Sequence, residues 1–394
     1  MRRRRVLVSA VLLAALAVPA VAVADSVFGI RGLGLLGRPL SGRAAATGGA
    51  FSLFDAASAL NPSALAQWLG PAGWGVGAAS SRRYANGPTS VTLGSTRFPL
   101  FGFAVPVGQR LVVGVSMSDY LNRTWSVATT RDSTLRGSTV TLTDVANSTG
   151  GVTDLRLGAA YRINPSFVVG VGIHGLAGST RLSVERSFSD STFIDYKDVA
   201  TTAFSGLGIS LGVQGRVSDY LAVAGAVRLN ARLAAKADDG ASSRVAMPAE
   251  FSGGVMFAPV RGVGFAATLG YQTWARAADD LVAAYRKGAG TAGDSIAAGQ
   301  ERSRSVWNVS VGSEIDLFDF LGQRVPVRIG YRWRQLPFPV AGSGLSEHAF
   351  SGGLGLTLAG GRATLDVGVD VGSRTAGSAT ERFTSGFVGV IVRP

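Results

Sequence analysis

The chain has 394 residues, of which 54 are glycine and 16% are charged, and its mean hydropathy is +0.27. No internal run approaches the ~18 consecutive apolar residues of a spanning helix, and hydrophobicity of this level excludes a disordered chain. With no cysteine and two histidines it has no disulfide, no thiolate chemistry and no polyhistidine metal centre, and its net charge of +13 comes without a basic helix or an aromatic-basic cluster, which argues against nucleic acid as a partner.

In chain order, the first element is a targeting signal. Arg2 to Arg5 precede an apolar stretch, Val6 to Val18, then Pro19 and the small-residue site Ala22-Val23-Ala24. That sequence predicts a secretory signal over residues 1–24, with the mature chain starting at Asp25. The absence of a following cysteine excludes a lipid anchor there.

Residues 25–70 form a second unit, rich in glycine, alanine and serine and without clear periodicity. Asn61-Pro62 starts a turn or caps a short helix over Ser63–Gln67. Its glycines are no phosphate loop, because no Gly-Lys-Ser/Thr follows a strand.

From Gly73 onward the period is two. Leu365, Val367, Val369 and Val371 point one way and Asp366, Gly368, Asp370 and Gly372 the other. Val327, Ile329 and Tyr331 oppose Arg328, Gly330 and Arg332, and Leu155, Leu157 and Tyr161 oppose Arg156, Gly158 and Arg162. Such segments number about fourteen. Their connections alternate between tight turns (Gly108-Gln109, Asn164-Pro165, Ser218-Asp219, Gly360-Gly361) and longer polar links (Asn86–Ser90, Thr129–Gly151, Ser187–Thr201, Ala235–Ser243, Ala275–Glu301, Gln335–Glu347, Ser373–Thr380). This is the pattern of an all-β, up-and-down outer-membrane barrel over residues 71–394, with short periplasmic turns and outer loops. Asp279–Lys287 in the longest loop reads as one short helix. Trp125, Trp274, Trp307, Trp333 and Phe350 fall at the outer ends, and Tyr161, Phe167, Tyr220, Phe257 and Phe318 at the inner ends, as two aromatic girdles.

The face opposite the apolar rows carries Gly, Ala, Ser, Arg and Asp, which suits a narrow lumen. Charges facing hydrocarbon cost about 2–4 kcal/mol at the midplane, so Arg156, Arg162, Arg228, Glu314, Arg328, Arg332, Asp366 and Asp370 are expected inside, paired with one another or with carboxylates of the N-terminal unit. Glu314 and Arg328 are expected opposite each other on neighbouring strands. No catalytic residue, metal site or cofactor is expected: His174 faces the lumen and His348 the outer rim, and nothing positions an oxyanion hole.

The run Gly42-Arg43-Ala44 to Ala50, followed by Asp55-Ala56-Ala57-Ser58-Ala59-Leu60-Asn61-Pro62-Ser63-Ala64-Leu65, resembles the N-terminal motif of the FadL-like outer-membrane transport superfamily, with Ser63 where alanine is usual. Gly330-Tyr331-Arg332-Trp333 and Gly352 to Leu356 resemble its late strands. The resemblance implies a fourteen-stranded barrel with residues 25–70 folded inside as a hatch, and Asp55, Asn61, Pro62 and Ser63 as hatch or gating residues. It implies a monomer in outer-membrane lipid, inserted by the barrel assembly machinery and passing small hydrophobic ligands such as fatty acids or aromatic hydrocarbons. A sister branch, similar to PorV, implies instead a non-transporting scaffold for exported proteins.

Overall fold

The computed structural model describes residues 25–87, 89–288, 302–320, 323–340 and 342–394. The expected secretory signal, residues 1–24, lies outside them. The N-terminal unit holds a 3-10 turn at Val27–Ile30, β1 (Leu35–Leu36), helix α1 (Gly42–Ala46) and a 3-10 turn at Pro62–Gln67. The wall begins with β2 (Ala72–Asn86), β3 (Thr89–Val107) and β4 (Leu111–Asn122), then β5 (Trp125–Leu135), β6 (Ser138–Asn164), β7 (Phe167–Phe188), β8 (Tyr196–Ser218) and β9 (Leu221–Asn230). A small hairpin follows, β10 (Leu233–Ala237) and β11 (Ser242–Val245), then β12 (Ala249–Val260), β13 (Val263–Gln272) and helix α2 (Ala278–Gly288). The chain ends with β14 (Val306–Phe320), β15 (Gln323–Val340), β16 (Ser343–Leu358), β17 (Ala363–Ala376) and β18 (Ala379–Val392).

Leaving aside β1, β5, β10 and β11, the strands form a closed antiparallel barrel of fourteen staves, sealed where β18 pairs with β2. Alternation decides which side chains meet lipid. On β6, Leu155 and Leu157 are 55% and 60% exposed, whereas their neighbours Asp154 and Arg156 are buried inside. A one-residue slip would exchange these faces and put guanidinium groups in hydrocarbon, so the register is tightly specified.

The inner girdle is outward-facing: Tyr161, Phe167, Tyr220, Phe257 and Phe318 are all exposed. The outer girdle is smaller than expected. Trp307 and Phe350 face lipid, but Trp125 and Trp274 are buried. Trp274 packs edge-on against Phe338 at a centroid distance of 5.3 Å. Both tryptophans sit just beyond the lipid-facing part of their strands, where the chain folds inward, and position along a strand alone does not reveal that bend.

The expected outer links are largely strand. β15 and β16 stay paired to Val340↔Ser343, and β17 and β18 to Ala376↔Ala379. β5 pairs with β6 from Trp125↔Ser148 to Leu135↔Ser138. β6 has 27 residues, against the 9–11 a tilted strand needs to cross hydrocarbon. β5 to β8 therefore stand above the membrane as a fin. Their Thr- and Ser-rich sequence hides this, because only a few apolar residues, Val140 and Leu142 among them, are buried there. Helix α2 covers the segment Asp279–Lys287 read as helical.

Candidate functional site: a filled lumen with one open seam

At several points the N-terminal unit lies against the inner wall where the wall has no side chain. A Cβ at Gly170 would stand 2.3 Å from the Ser63 nitrogen, at Gly212 2.0 Å from Asn61 Oδ1, and at Gly330 2.1 Å from the Thr47 carbonyl carbon. At Gly353 and Gly389 it would meet Ala46 Cβ and Gly42 Cα, each at 2.9 Å. These inward glycines are thus seats for the N-terminal unit. This close fit explains why both surfaces are built from the smallest residues.

Within the unit, Asn61 caps the Pro62–Gln67 turn. Its Oδ1 accepts from Ser63 N (3.0 Å) and Ser63 Oγ (2.7 Å), while its Nδ2 donates to the Leu53 carbonyl (2.9 Å). Pro62, at the first position of the turn, gives up no needed N–H. Asp55 joins two other pieces: Ser41 Oγ donates to its Oδ2 (2.5 Å) and Ala57 N to its Oδ1 (2.9 Å). Ser41 in turn caps α1, accepting from Ala44 N at 3.0 Å. All four motif residues are buried.

Ion pairs tie this unit to the wall. Arg43 donates twice to Glu314 (2.9 Å each). Arg328, directly opposite Glu314 in the β14–β15 register, donates to the same carboxylate (2.6 Å) and to Asp366 (2.5 Å). Further out, Arg332 bridges Asp370 (2.6 Å) and Glu347 (2.8 Å). Arg334 and Arg374 also donate to Glu347, at 2.9 and 2.7 Å, so three guanidiniums converge on one buried carboxylate. Arg374 continues to Glu381 (2.6 Å), which accepts from Ser26 Oγ at 2.7 Å. Among the described residues Arg162 meets no carboxylate; it donates to the Ala66 and Trp68 carbonyls at the end of the N-terminal unit. Short-range alternation places these residues inside, but the shared hub at Glu347 depends on a three-strand register that no single segment carries.

Across the lumen, Asp154 accepts from Arg228 (2.7 Å) and from His174 Nδ1 (2.9 Å), and His174 Nε2 accepts from Ser210 Oγ at 2.9 Å. The order serine, histidine, carboxylate is that of a hydrolase triad. Here all three side chains are buried, and Arg228 already holds the carboxylate. The chain of bonds fixes staves β6 to β9 to one another. Arg156 stands beside it with Nε and Nη1 unbonded among the described residues.

The outer mouth is closed by an apolar cluster that includes Leu33, Tyr120, Phe204, Leu233, Trp274 and Leu281. It draws residues from the N-terminal unit, the stave ends, the β10–β11 hairpin and α2. Beside Leu36, Gly37 and Arg38 of the N-terminal unit lie two neighbouring cavities of about 130 Å³ each, which share Leu40, Arg332 and Arg334 in their linings.

One seam in the wall is not closed by wall strands. β3 and β4 pair only from Val107↔Leu111 to Leu100↔Ser118, while β3 continues outward along β2 to Thr89. The N-terminal unit occupies the gap. β1 pairs with β4 (Leu35↔Asn122, Leu36↔Leu121), and the Asp25 and Ser26 N–H groups donate to the Thr124 carbonyl. Asp25 binds Arg82 on β2 and Arg97 on β3 (3.1 Å). Burial acts to raise the Asp25 carboxyl, but the surrounding Arg82, Arg97 and Arg374 charges outweigh it and hold it below the usual aspartate value.

A closed barrel with an apolar outer band, aromatic ends and a small-residue segment seated inside defines an outer-membrane barrel with the FadL-type transporter fold. Solved structures bear out that fold. The toluene transporter TbuX of Ralstonia pickettii matches with a TM-score of 0.58 at 12% identity, over 90% of this chain and 98% of its own. A Pseudomonas aeruginosa FadL homologue matches with 0.58 at 13% identity, over 91% and 99%. The Pseudomonas putida toluene transporter TodX matches with 0.57 at 13% identity, again over 91% and 99%. No curated protein matches the sequence. The BamG family model matches residues 1–248, and the chain belongs to the BamG family.

Proposed function

We propose that this protein is a plugged outer-membrane barrel that works as a non-transporting scaffold within the barrel assembly machinery, the partner to which its family name points. In this reading residues 1–24 direct export and residues 25–70 are a hatch held in place, with Asp55, Asn61, Pro62 and Ser63 as its internal pins. The observation that carries it is the filled lumen. The N-terminal unit seats backbone against wall glycines, an apolar cluster caps the outer mouth, and Arg38, Arg332 and Arg334 line the cavities beside it, whereas a path for hydrophobic molecules would be a continuous apolar tunnel. Neither the hatch nor the wall is given a catalytic role. The test is deletion of the gene. The level of other folded, heat-modifiable outer-membrane barrels should fall while uptake of fatty acids and toluene stays unchanged; lost uptake with normal barrel levels would reject the scaffold.

A second reading, passage of small hydrophobic molecules, is favoured by the seam between β3 and β4. Its closure depends on the Asp25–Gly37 stretch, so a shift of the N-terminal unit would open the wall sideways. The transporters that share the fold carry toluene.

A further inference from the structure

The outer surface of the barrel carries a groove of about 520 Å³ across β8, β9, β12 and β13. Its floor is a pair of glycines, Gly225 and Gly253, which face each other in the β9–β12 register. A Cβ at Gly253 would meet nothing within 4 Å. The walls are outward-facing Leu211, Val213, Phe251 and Leu269, all exposed and apolar. At the outer end the Tyr271 and Trp307 rings lie 4.5 Å apart, tilted by 41°, at the depth where aromatic residues meet headgroups. Past the outer ends of β9 and β13 the chain carries Arg232, Arg244 and Arg276, with Asp279 and Asp280 in the same stretch. Arg232 follows groove residue Val227 by five positions, and Arg276 follows Tyr271 by five. Arg232 is paired with Asp280 and touches the Arg244 carbonyl. Arg244 and Arg276 are exposed, and neither has an ion-pair partner among the described residues.

We infer that this groove binds one anionic lipid of the outer leaflet, with an acyl chain over Gly225 and Gly253 and a phosphate against Arg244 and Arg276. The chemistry follows from depth. Apolar surface within the hydrocarbon layer selects a chain, and guanidiniums that carry no ion pair among the described residues would select a phosphate headgroup. The glycines matter because any side chain at Gly253 would occupy the slot.

Native mass spectrometry of the full-length protein from nanodiscs tests this, using dipalmitoyl phosphatidylglycerol and dipalmitoyl phosphatidylcholine as probes. Wild type should retain one phosphatidylglycerol about tenfold more often than phosphatidylcholine, a ratio equal to about 1.4 kcal/mol. Gly253→Phe should remove that retained lipid. Gly386→Phe, on another stretch of wall where a Cβ also meets open space, should keep it; both changes face lipid, so both barrels should fold. Replacing Arg244 and Arg276 by alanine should abolish the preference for phosphatidylglycerol. Equal retention of the two lipids by wild type would overturn the inference. So would undiminished retention by Gly253→Phe, or a photo-crosslinker at position 253 that captures a protein strand or helix instead of lipid.

Discussion

At the scale of single residues, the account rests on charges that are buried but shared. Glu347 is fully buried and serves three arginines. Glu347→Gln would leave those guanidiniums without their common counter-charge, and breaking a buried pair from one side costs about 3–5 kcal/mol. The variant should lose its folded, fast-migrating form on gels at a clearly lower temperature than wild type. Asp25 makes a prediction about pH. Its folded carboxyl titrates below the ordinary aspartate value, so its link to Arg82 and Arg97 is fully present above that value and is lost only as pH falls through the lowered one. Protease resistance of the Asp25–Gly37 stretch should be the same at pH 7 and pH 5 and should drop only below about pH 4. Release at pH 5 would show that the pair does not hold the seam.

At the scale of elements, the controlling fact is that one wall face is glycine where it meets the N-terminal unit. Gly330→Leu places a side chain where the Thr47 backbone now lies, its Cβ alone 2.1 Å from the Thr47 carbonyl carbon. The barrel should still insert, because the lipid face is untouched, but residues 25–70 should become open to protease from the outside or the periplasm. Continued protection would mean the unit is held by its ion pairs and not by its fit. Much of this level was legible in the sequence. Alternation around Leu157, Ile329 and Val367 gives the staves, and the same alternation turns Arg156, Arg328 and Asp366 inward, because a charge in hydrocarbon is too costly to allow the other face. Asn61-Pro62 reads as a cap from residue type alone. What stayed hidden depends on partners distant in the chain. Trp274 looks like a girdle tryptophan until β10, β11 and α2 fold over it. The β5–β6 hairpin looks like a loop because its strands are mostly Thr, Ser and charged residues, with few buried apolar ones such as Val140 and Leu142. The seam could not be seen at all, since β3 and β4 each alternate normally and only their mutual pairing stops short.

At the scale of the whole molecule, the same barrel supports two uses, and the contents of the lumen separate them. The N-terminal unit, the ionic lattice around Glu347 and the apolar cluster at the outer mouth together fill much of the interior. The seam between β3 and β4 offers a place where movement of a short stretch would join inside to outside. The scaffold reading requires that this stretch stay in place under ordinary conditions. The most direct measurement is flux through the purified protein in liposomes, using a fluorescent fatty acid that is trapped once inside. The account predicts that wild type admits the probe no faster than protein-free liposomes do, while Gly330→Leu makes the same membrane leaky to ions. Saturable entry of the probe through the wild-type protein would contradict the plugged scaffold and establish passage through the seam.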